Sequence, residues 1–270
     1  DYTERIETIT ADTARIEAEL ELGSHIQTGI LPNKFPAFPD RKEFDLYAVM
    51  DPAREVGGDF YDYFLPDKDH LTLTIADVSG KGVPAAMFMM ATKIVLNNQV
   101  SMRISPALAL EMANNRICEN NYEDMFVTVW LATLEIQTGK LFTSNAGHEY
   151  PVIKQPDGSF ELFKDRHGFV VGGMEGVKYK EEVIQLKPGA KVFVYTDGVP
   201  EATNSNNELF GTDRMLKALR EAEDGTPEEI LKAVRAAVDE FTGDAEQFDD
   251  LTMLCMEYRG PVSENTGTEE

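Results

Sequence analysis

The first thirty residues repeat an apolar position every three or four residues, with charged residues between them. This spacing predicts one helix and is typical of a coiled-coil seam. The stripe consists of Ile6, Ile9, Thr13, Ile16, Leu20, Gly23, Gln27 and Ile30. It is apolar at first and weakens at Thr13, Gly23 and Gln27. Two hypotheses follow, a helix that pairs with a second copy of the chain or an amphipathic helix that lies on its own domain.

Short runs of strand length replace the helical pattern after a proline-rich stretch. Pro32, Pro36 and Pro39 end the helix and open a linker. From about residue 43, apolar and polar residues alternate, or aromatic and β-branched residues cluster. The predicted strands are 43–50, 71–76, 126–134, 141–144, 152–154, 160–163, 192–195 and 251–258. Asp157-Gly158 predicts a hairpin turn between the fifth and sixth of them.

Three helical segments interrupt these strands. Residues 84–100 are rich in Ala and Met, and Ser105 with Pro106 supplies the N-cap and first residue of a second helix. Thr226–Glu229 form a capping box for a third helix that ends near Gly243. Two consecutive helices interrupt a run of hairpins, so strands and helices do not alternate. We therefore expect an α+β fold, with antiparallel sheets covered by helices.

Charge and cysteine content narrow the class of function. The chain has 48 acidic and 25 basic residues and a net charge of −23. We expect no binding to nucleic acid or to anionic lipid, because the cationic surface that neutralises phosphates is missing. Cys118 and Cys255 are the only cysteines, too few for a disulfide framework or a zinc site. They fit a reducing, cytoplasmic compartment.

Membrane contact is not expected of this segment, since it has no apolar run of about 18 residues and no signal peptide. The chain begins inside a helical pattern without an initiator Met. We therefore expect a fragment of a longer protein. Its upstream part would hold a sensor, and could tether the protein to a membrane.

Four segments place an Asp beside an apolar strand. They are 56–62, 75–82, 195–198 and 248–252. Carboxylates that converge without partners repel and raise one another's pKa values. Divalent cations relieve that repulsion, and oxygen ligands suit Mg²⁺ or Mn²⁺ better than zinc. One Asp after a strand is more often a turn or N-cap residue, so the prediction rests on the set of four.

The same segments resemble the metal-dependent PPM phosphatase superfamily, and specifically its bacterial SpoIIE/RsbU-like branch. The motifs that carry the resemblance are Gly-Gly-Asp-Phe-Tyr-Asp at 57–62, Ala-Asp-Val-Ser-Gly-Lys-Gly-Val-Pro-Ala-Ala at 76–86, Asn-Ala-Gly-His at 145–148, Thr-Asp-Gly-Val-Pro-Glu-Ala at 196–202, Asp-Asp-Leu-Thr at 249–252 and the junction at 25–32. The resemblance runs from about residue 20 to 258.

The resemblance implies an αββα sandwich of two antiparallel sheets flanked by helices, which here follows an N-terminal regulatory helix. The resemblance would place the phosphatase domain at residues 32–260. The apolar stripe predicts that residues 1–31 form a linker and dimerisation helix that makes the chain a homodimer, and polar composition predicts a disordered tail at 261–270.

The resemblance also implies a centre of two Mn²⁺ or Mg²⁺ ions. Its ligands would be Asp59, Asp77, the backbone carbonyl of Val78, Asp197 and Asp249. Asp250 is an alternative to its neighbour Asp249. Water activated between the ions would attack phosphorus directly. A phosphocysteine route is not expected, because neither cysteine has an Arg six residues later.

Four further residues have two interpretations each. Arg54 either contacts the substrate phosphate, as a guanidinium can, or is a surface arginine. Asp62 is either a structural hydrogen-bonding group or a metal ligand. His148 either contacts the site or hydrogen-bonds within a turn. Lys81 stands where eukaryotic-type relatives have a histidine near this turn, so protonation of the leaving group has no assigned residue.

The resemblance implies a phosphatase for a phosphoserine or phosphothreonine protein. The implied partner is a small STAS-type anti-sigma-factor antagonist, with the N-terminal helix coupling an upstream sensor to the site. An alternative is a catalytically silent scaffold with the same fold, which the presence of all four aspartates disfavours. A two-metal nuclease is disfavoured because the chain has no basic stripe.

Overall fold

This computed structural model describes residues 2–121 and 123–262, which contain ten strands and five helices. In chain order they are α1 Tyr2–Ile30, β1 Phe44–Asp51, β2 Phe60–Asp67, β3 His70–Val78, α2 Val83–Val100, α3 Pro106–Cys118, β4 Val127–Glu135, β5 Lys140–Ala146, β6 Val152–Lys154, β7 Glu161–Leu162, β8 Glu182–Gln185, β9 Ala190–Tyr195, α4 Gly211–Glu221, α5 Pro227–Thr242 and β10 Leu251–Tyr258. Most of the predicted tail lies outside the described residues.

The strands pair into two five-stranded antiparallel sheets. The first, sheet A, has the order β1-β10-β9-β6-β7, and the second, sheet B, has the order β2-β3-β4-β5-β8. Helices α2 and α3 pack against sheet B. Helix α5 packs against β1 and β10 of sheet A, and α4 packs against α5. The predicted αββα sandwich is confirmed.

Alternate residues of the central strands supply two separate cores. On β9 and β10, Val192, Val194 and Leu254 point into the core between the sheets. Phe193 and Met253 point the other way, into a core with α4 and α5. Because both faces of these strands are buried, their sequences are continuous apolar runs instead of alternating patterns.

The helix boundaries follow the chemistry of the sequence. The Ser105 side chain accepts a hydrogen bond from the backbone N–H of Leu108. The Thr226 hydroxyl and the Glu229 carboxylate form the reciprocal capping box predicted for α5. Strands β2 and β8 were not predicted from the sequence. The first four residues of β2 are all buried, so no alternation marks it, and β8 is short and mostly polar.

The N-terminal helix is present and keeps most of its apolar stripe in solvent. Ile6, Ile9 and Ile16 are each about half exposed or more. The stripe therefore does not lie on the chain's own domain along its length. Gln27 is the only residue of α1 that is buried.

No helix among the described residues is long and apolar enough to cross a membrane.

Candidate metal centre

The four predicted aspartates lie at one edge of the sandwich because of how their strands pair. Asp59 immediately precedes β2 and Asp77 is next to the last residue of β3. Phe60 pairs with Ala76, so these two aspartates lie side by side at one end of sheet B. Asp197 follows β9 and Asp249 precedes β10, which is the equivalent end of sheet A. Antiparallel pairing therefore brings all four to one place.

Hydrogen bonds join the two sheets at this edge. One carboxylate oxygen of Asp59, Oδ2, accepts from the hydroxyl of Thr196 at 2.6 Å and from that of Thr252 at 2.7 Å. Both threonines belong to the sheet A side of the site, whereas Asp59 belongs to sheet B. Asp59 is only 2% exposed, and the two hydroxyls provide its buried carboxylate with hydrogen-bond donors and fix its position.

The electrostatics of the site show crowded carboxylates with raised pKa values. Burial, followed by the charges of Asp77 and Asp250, raises the pKa of Asp59 well above its ordinary value. Burial, followed by the charges of Asp197 and Asp249, raises the pKa of Asp77 to about 7. Burial also raises the pKa of Asp197 to about 6. Each shift means that a positive charge at this point would stabilise the folded protein.

Asp249 and Asp250 have different surroundings. Asp250 accepts hydrogen bonds from the backbone amides of Ala53 at 2.9 Å, Gly58 at 2.7 Å and Asp59 at 3.3 Å. Its carboxylate therefore holds the loop that carries Asp59. Asp249 accepts none of these bonds, and its charge raises the pKa values of Asp77 and Asp197. The Asp249 carboxylate instead pairs with the partly exposed ammonium of Lys81, while the Asp250 carboxylate holds the Asp59 loop.

Close approach of the backbone explains the two glycines before Asp59. A Cβ at Gly58 would lie 3.1 Å from the carbonyl oxygen of Val78, tighter than ordinary contact. A Cβ at Gly57 would collide with the carboxylate of Asp250. Glycine therefore lets the Asp59 loop lie against both the end of β3 and the Asp250 side chain. This packing places the Val78 carbonyl beside the aspartate cluster.

Asp62 and His148 have complete sets of structural partners. Asp62 is buried and its carboxylate pairs with Lys93 at 2.6 Å, which joins β2 to α2. His148 hydrogen-bonds through Nδ1 to the hydroxyl of Thr128 at 2.8 Å and through Nε2 to the carbonyl of Tyr195 at 3.0 Å. The structural interpretation made from the sequence therefore fits both residues.

Arg54 and Lys81 lie at the exposed side of the loops. Arg54 is exposed and, within the described part of the chain, forms no hydrogen bond or ion pair. Its guanidinium is thus free to bind an anion. Lys81 donates to the carboxylate of Asp249 at 2.9 Å and to the carbonyl of Phe248 at 2.7 Å, and its ammonium lies over the Phe248 ring.

The donor set fits hard divalent cations. Between residues 2 and 262, leaving out 122, no three acidic, His or Cys side chains are already arranged around one point as ligands. The threonine hydroxyls bond only Oδ2 of Asp59, whereas the contact of the Lys81 ammonium with Asp249 would be exchanged for a cation. The available groups are all oxygen donors, and the pKa values of Asp59, Asp77 and Asp197 are raised. This chemistry suits Mg²⁺ or Mn²⁺.

Sequence reasoning missed three residues at the site. Thr196 and Thr252 lie inside the motifs that contain the aspartates, and their position beside Asp197 and after Asp249-Asp250 was the available clue. Gln27 stood out in the sequence only as a polar break in the apolar stripe. Its partner in the structure is Gly57, thirty residues away.

Comparison with known proteins agrees with the fold and the motifs. The family model described as "Stage II sporulation protein E (SpoIIE)" matches residues 67–259. The match contains Asp77, Asp197 and Asp249, while Asp59 lies before it. In structure, the chain is similar to the SiaA-PP2C domain of Pseudomonas aeruginosa, with a TM-score of 0.80, 23% identity and coverage of 92% of this chain and 99% of that domain.

Two curated proteins are similar in sequence. Protein IcfG of Synechocystis sp. is 32% identical to this chain. The matched region covers 89% of this chain and 41% of IcfG. Phosphoserine phosphatase RsbU of Bacillus subtilis is 27% identical over 93% of this chain, which spans 73% of RsbU. With a family match over more than half of its length, the chain belongs to the SpoIIE family of PPM-type phosphoprotein phosphatases.

Proposed function

We propose that this chain is the catalytic part of a metal-dependent phosphatase acting on phosphoserine or phosphothreonine in a protein, with two Mn²⁺ or Mg²⁺ ions. The observation that carries the proposal is the meeting of carboxylates from both sheets at one edge, where the pKa of Asp77 is raised to about 7. A pair of divalent cations would relieve that repulsion. Similarity to the phosphoserine phosphatase RsbU supports the substrate class.

The residues proposed to hold the ions come from both sheets. They are Asp59, Asp77 and the carbonyl of Val78 from sheet B, with Asp197 and Asp249 from sheet A. When bound, the ions supply an acidified water for direct attack on phosphorus and positive charge for the phosphoryl oxygens. The protein's own contribution is position, since Thr196, Thr252 and Asp250 hold Asp59 and its loop.

Cysteine chemistry has no place in this mechanism. Cys255 is fully buried, and burial raises the pKa of its thiol. Burial also raises the pKa of Cys118. The thiolate is the nucleophilic form, so neither cysteine is activated for attack on phosphorus. Arg54 is the proposed contact for the substrate phosphate, because its guanidinium is exposed and unpaired among the described residues.

The proposed setting is a cytoplasmic signalling protein that controls a sigma factor. The proposed partner is a phosphorylated STAS-type anti-sigma-factor antagonist, as the resemblance to the SpoIIE/RsbU-like branch implies. Residues 1–31 are the proposed dimerisation helix and 32–260 the phosphatase domain, with an upstream sensor acting through the helix. The half-exposed stripe at Ile6, Ile9 and Ile16 supports the dimer, because apolar residues at coiled-coil spacing stay uncovered in one chain.

Metal dependence on a defined substrate tests the proposal. The purified chain is expected to hydrolyse a phosphoserine peptide with Mn²⁺ and to lose activity in excess chelator. Asp77→Asn is expected to lower kcat/KM at least about 10²-fold, because it removes charge that holds the ions. Asp157→Asn, an exposed carboxylate in a hairpin turn, is the matched control and should have little effect.

Three results would contradict the proposal. Full activity in excess chelator would rule out the metal mechanism. Mn²⁺ binding without hydrolysis of any phosphopeptide would indicate a silent scaffold. Hydrolysis of DNA under the same conditions would indicate a nuclease.

A further inference from the structure

The last turn of α1 contains one buried polar side chain. Gln27 is 2% exposed, whereas the other residues of Tyr2–Ile30 are exposed or partly exposed. Burying a primary amide is unfavourable unless its donor and acceptor are both paired. The buried Gln27 side chain therefore requires partners for both its N–H donor and its carbonyl acceptor.

Both partners belong to the backbone of Gly57. Nε2 of Gln27 donates to the carbonyl oxygen of Gly57 at 2.5 Å, and the backbone N–H of Gly57 donates to Oε1 of Gln27 at 3.1 Å. One side-chain amide thus satisfies both polar groups of a single loop residue. A shorter or apolar side chain at position 27 cannot make both bonds.

Gly57 belongs to the loop that positions Asp59. The carboxylate of Asp250 holds the amides of Gly58 and Asp59. Gln27 holds the residue immediately before these two. One turn earlier, Gly23 lies close to the same loop, where a Cβ would be 4.0 Å from the Val56 side chain. The loop is therefore held by Asp250 and by the N-terminal helix.

We propose that Gln27 is a positioning residue for the metal centre, through which the end of α1 sets the place of Asp59. The inference rests on the proposed function, since Asp59 is there a ligand. A shift or rotation of the last turn of α1 breaks or restores the two bonds to Gly57. The metal affinity of the Asp59 loop then depends on the state of a helix whose upstream half lies in solvent.

Metal binding and loop protection in the full chain test this role. Gln27→Leu is expected to weaken Mn²⁺ binding about tenfold in calorimetry, in the range seen when groups that orient metal ligands are removed. In chelator, amide hydrogen exchange across residues 53–59 is expected to accelerate. Gln27→Asn, which keeps an amide but is one methylene shorter, should act in the same direction and replaces Gln27→Leu if that variant fails to fold. Thr28→Val, an exposed neighbour in the same turn, should match wild type in both measurements.

The possible results separate this inference from the proposed function. If wild type does not bind Mn²⁺, the metal centre itself is wrong. If wild type binds Mn²⁺ and both Gln27 variants keep its affinity and its exchange rates, only the role of Gln27 is overturned. Lower thermal stability with unchanged Mn²⁺ affinity would make Gln27 merely structural and would also overturn it. Equal losses in Thr28→Val would assign the effect to the helix in general and not to the amide.

Discussion

At the scale of single residues, the adjacent carboxylates of Asp249 and Asp250 have different hydrogen-bond partners. Asp250 accepts hydrogen bonds from three backbone amides of the loop before β2, and the carboxylate of Asp249 pairs with the partly exposed ammonium of Lys81 and with the N–H of Asp250. Sequence motifs located both residues but left the choice of ligand open. The bonds of Asp250 join residues more than 190 positions apart, and no local pattern encodes such contacts.

Alanine substitutions of this pair are expected to affect different properties, folding stability for Asp250 and Mn²⁺ binding for Asp249. In chelator, Asp250→Ala should lower the free energy of unfolding by about 2–4 kcal/mol, because it leaves loop amides without an acceptor. Asp249→Ala should change it by less than about 1 kcal/mol, since the pair with Lys81 is partly exposed and weak. Asp249→Ala should nevertheless abolish tight Mn²⁺ binding.

Urea unfolding and calorimetry measure the two quantities separately. If Asp249→Ala is the strongly destabilised variant, the roles are reversed. In that case Asp250 is the metal ligand and Asp249 is the residue that holds the loop.

At the scale of elements, the N-terminal helix shows what an apolar pattern predicts and what it does not. The pattern predicted a helix to Ile30, where α1 ends. The break in the stripe at Gln27 has a structural cause, since its side chain bonds to Gly57 in the Asp59 loop, whereas at Gly23 a Cβ would be in ordinary contact with Val56. Strand β2 was missed although its motif was recognised, because its first half is buried on both faces. Apolar periodicity marks elements that are buried on one face only. The first half of β2 is buried on both faces, and Gln27 is a polar residue buried against the Asp59 loop, so periodicity predicts neither.

The upstream half of α1 is expected to form a dimer. Ile9→Asp with Ile16→Asp places two charges in the exposed stripe and should convert a dimer to a monomer, because aspartates opposite each other in a seam repel and stay hydrated. Light scattering should give twice the chain mass for wild type and the chain mass for the variant.

Ala11→Asp with Ala18→Asp is the matched control, which introduces two aspartates at exposed positions off the stripe. This variant should remain a dimer. A wild-type chain that is monomeric at all accessible concentrations would remove the dimer from the proposed function. It would leave the metal centre unaffected.

At the scale of the whole molecule, His148 ties the two sheets together. Thr128 lies on β4 of sheet B and Tyr195 on β9 of sheet A, and the imidazole hydrogen-bonds to both. The carbonyl of Tyr195 can only accept, so Nε2 carries the proton and Nδ1 accepts from the Thr128 hydroxyl. Both ring nitrogens are thus satisfied in the neutral form, and burial lowers the pKa of His148 to about 3.

A lowered histidine pKa makes stability depend on pH in a defined direction. Above about pH 6.5, the imidazole is neutral in both the folded and unfolded chain, and its contribution to stability is complete. As pH falls from 6.5 towards 3, only the unfolded chain takes up the proton, so folding stability is lost. Between pH 7.5 and pH 5.0 the expected loss is about 2 kcal/mol. Raised pKa values at Asp59, Asp77 and Asp197 act oppositely, because those carboxylates take up protons more readily in the folded chain.

A comparison with His148→Gln isolates the histidine from these carboxylates, which are present in both proteins. Glutamine does not titrate, so the variant lacks only the histidine contribution. We expect the variant to be less stable than wild type at pH 7.5, and the stability difference to shrink by about 2 kcal/mol at pH 5.0. Urea unfolding of both proteins in chelator at the two pH values measures the difference. A difference that stays constant would mean that the imidazole gains a proton equally in the folded and unfolded chain, and His148 would then not be the neutral tie between the sheets.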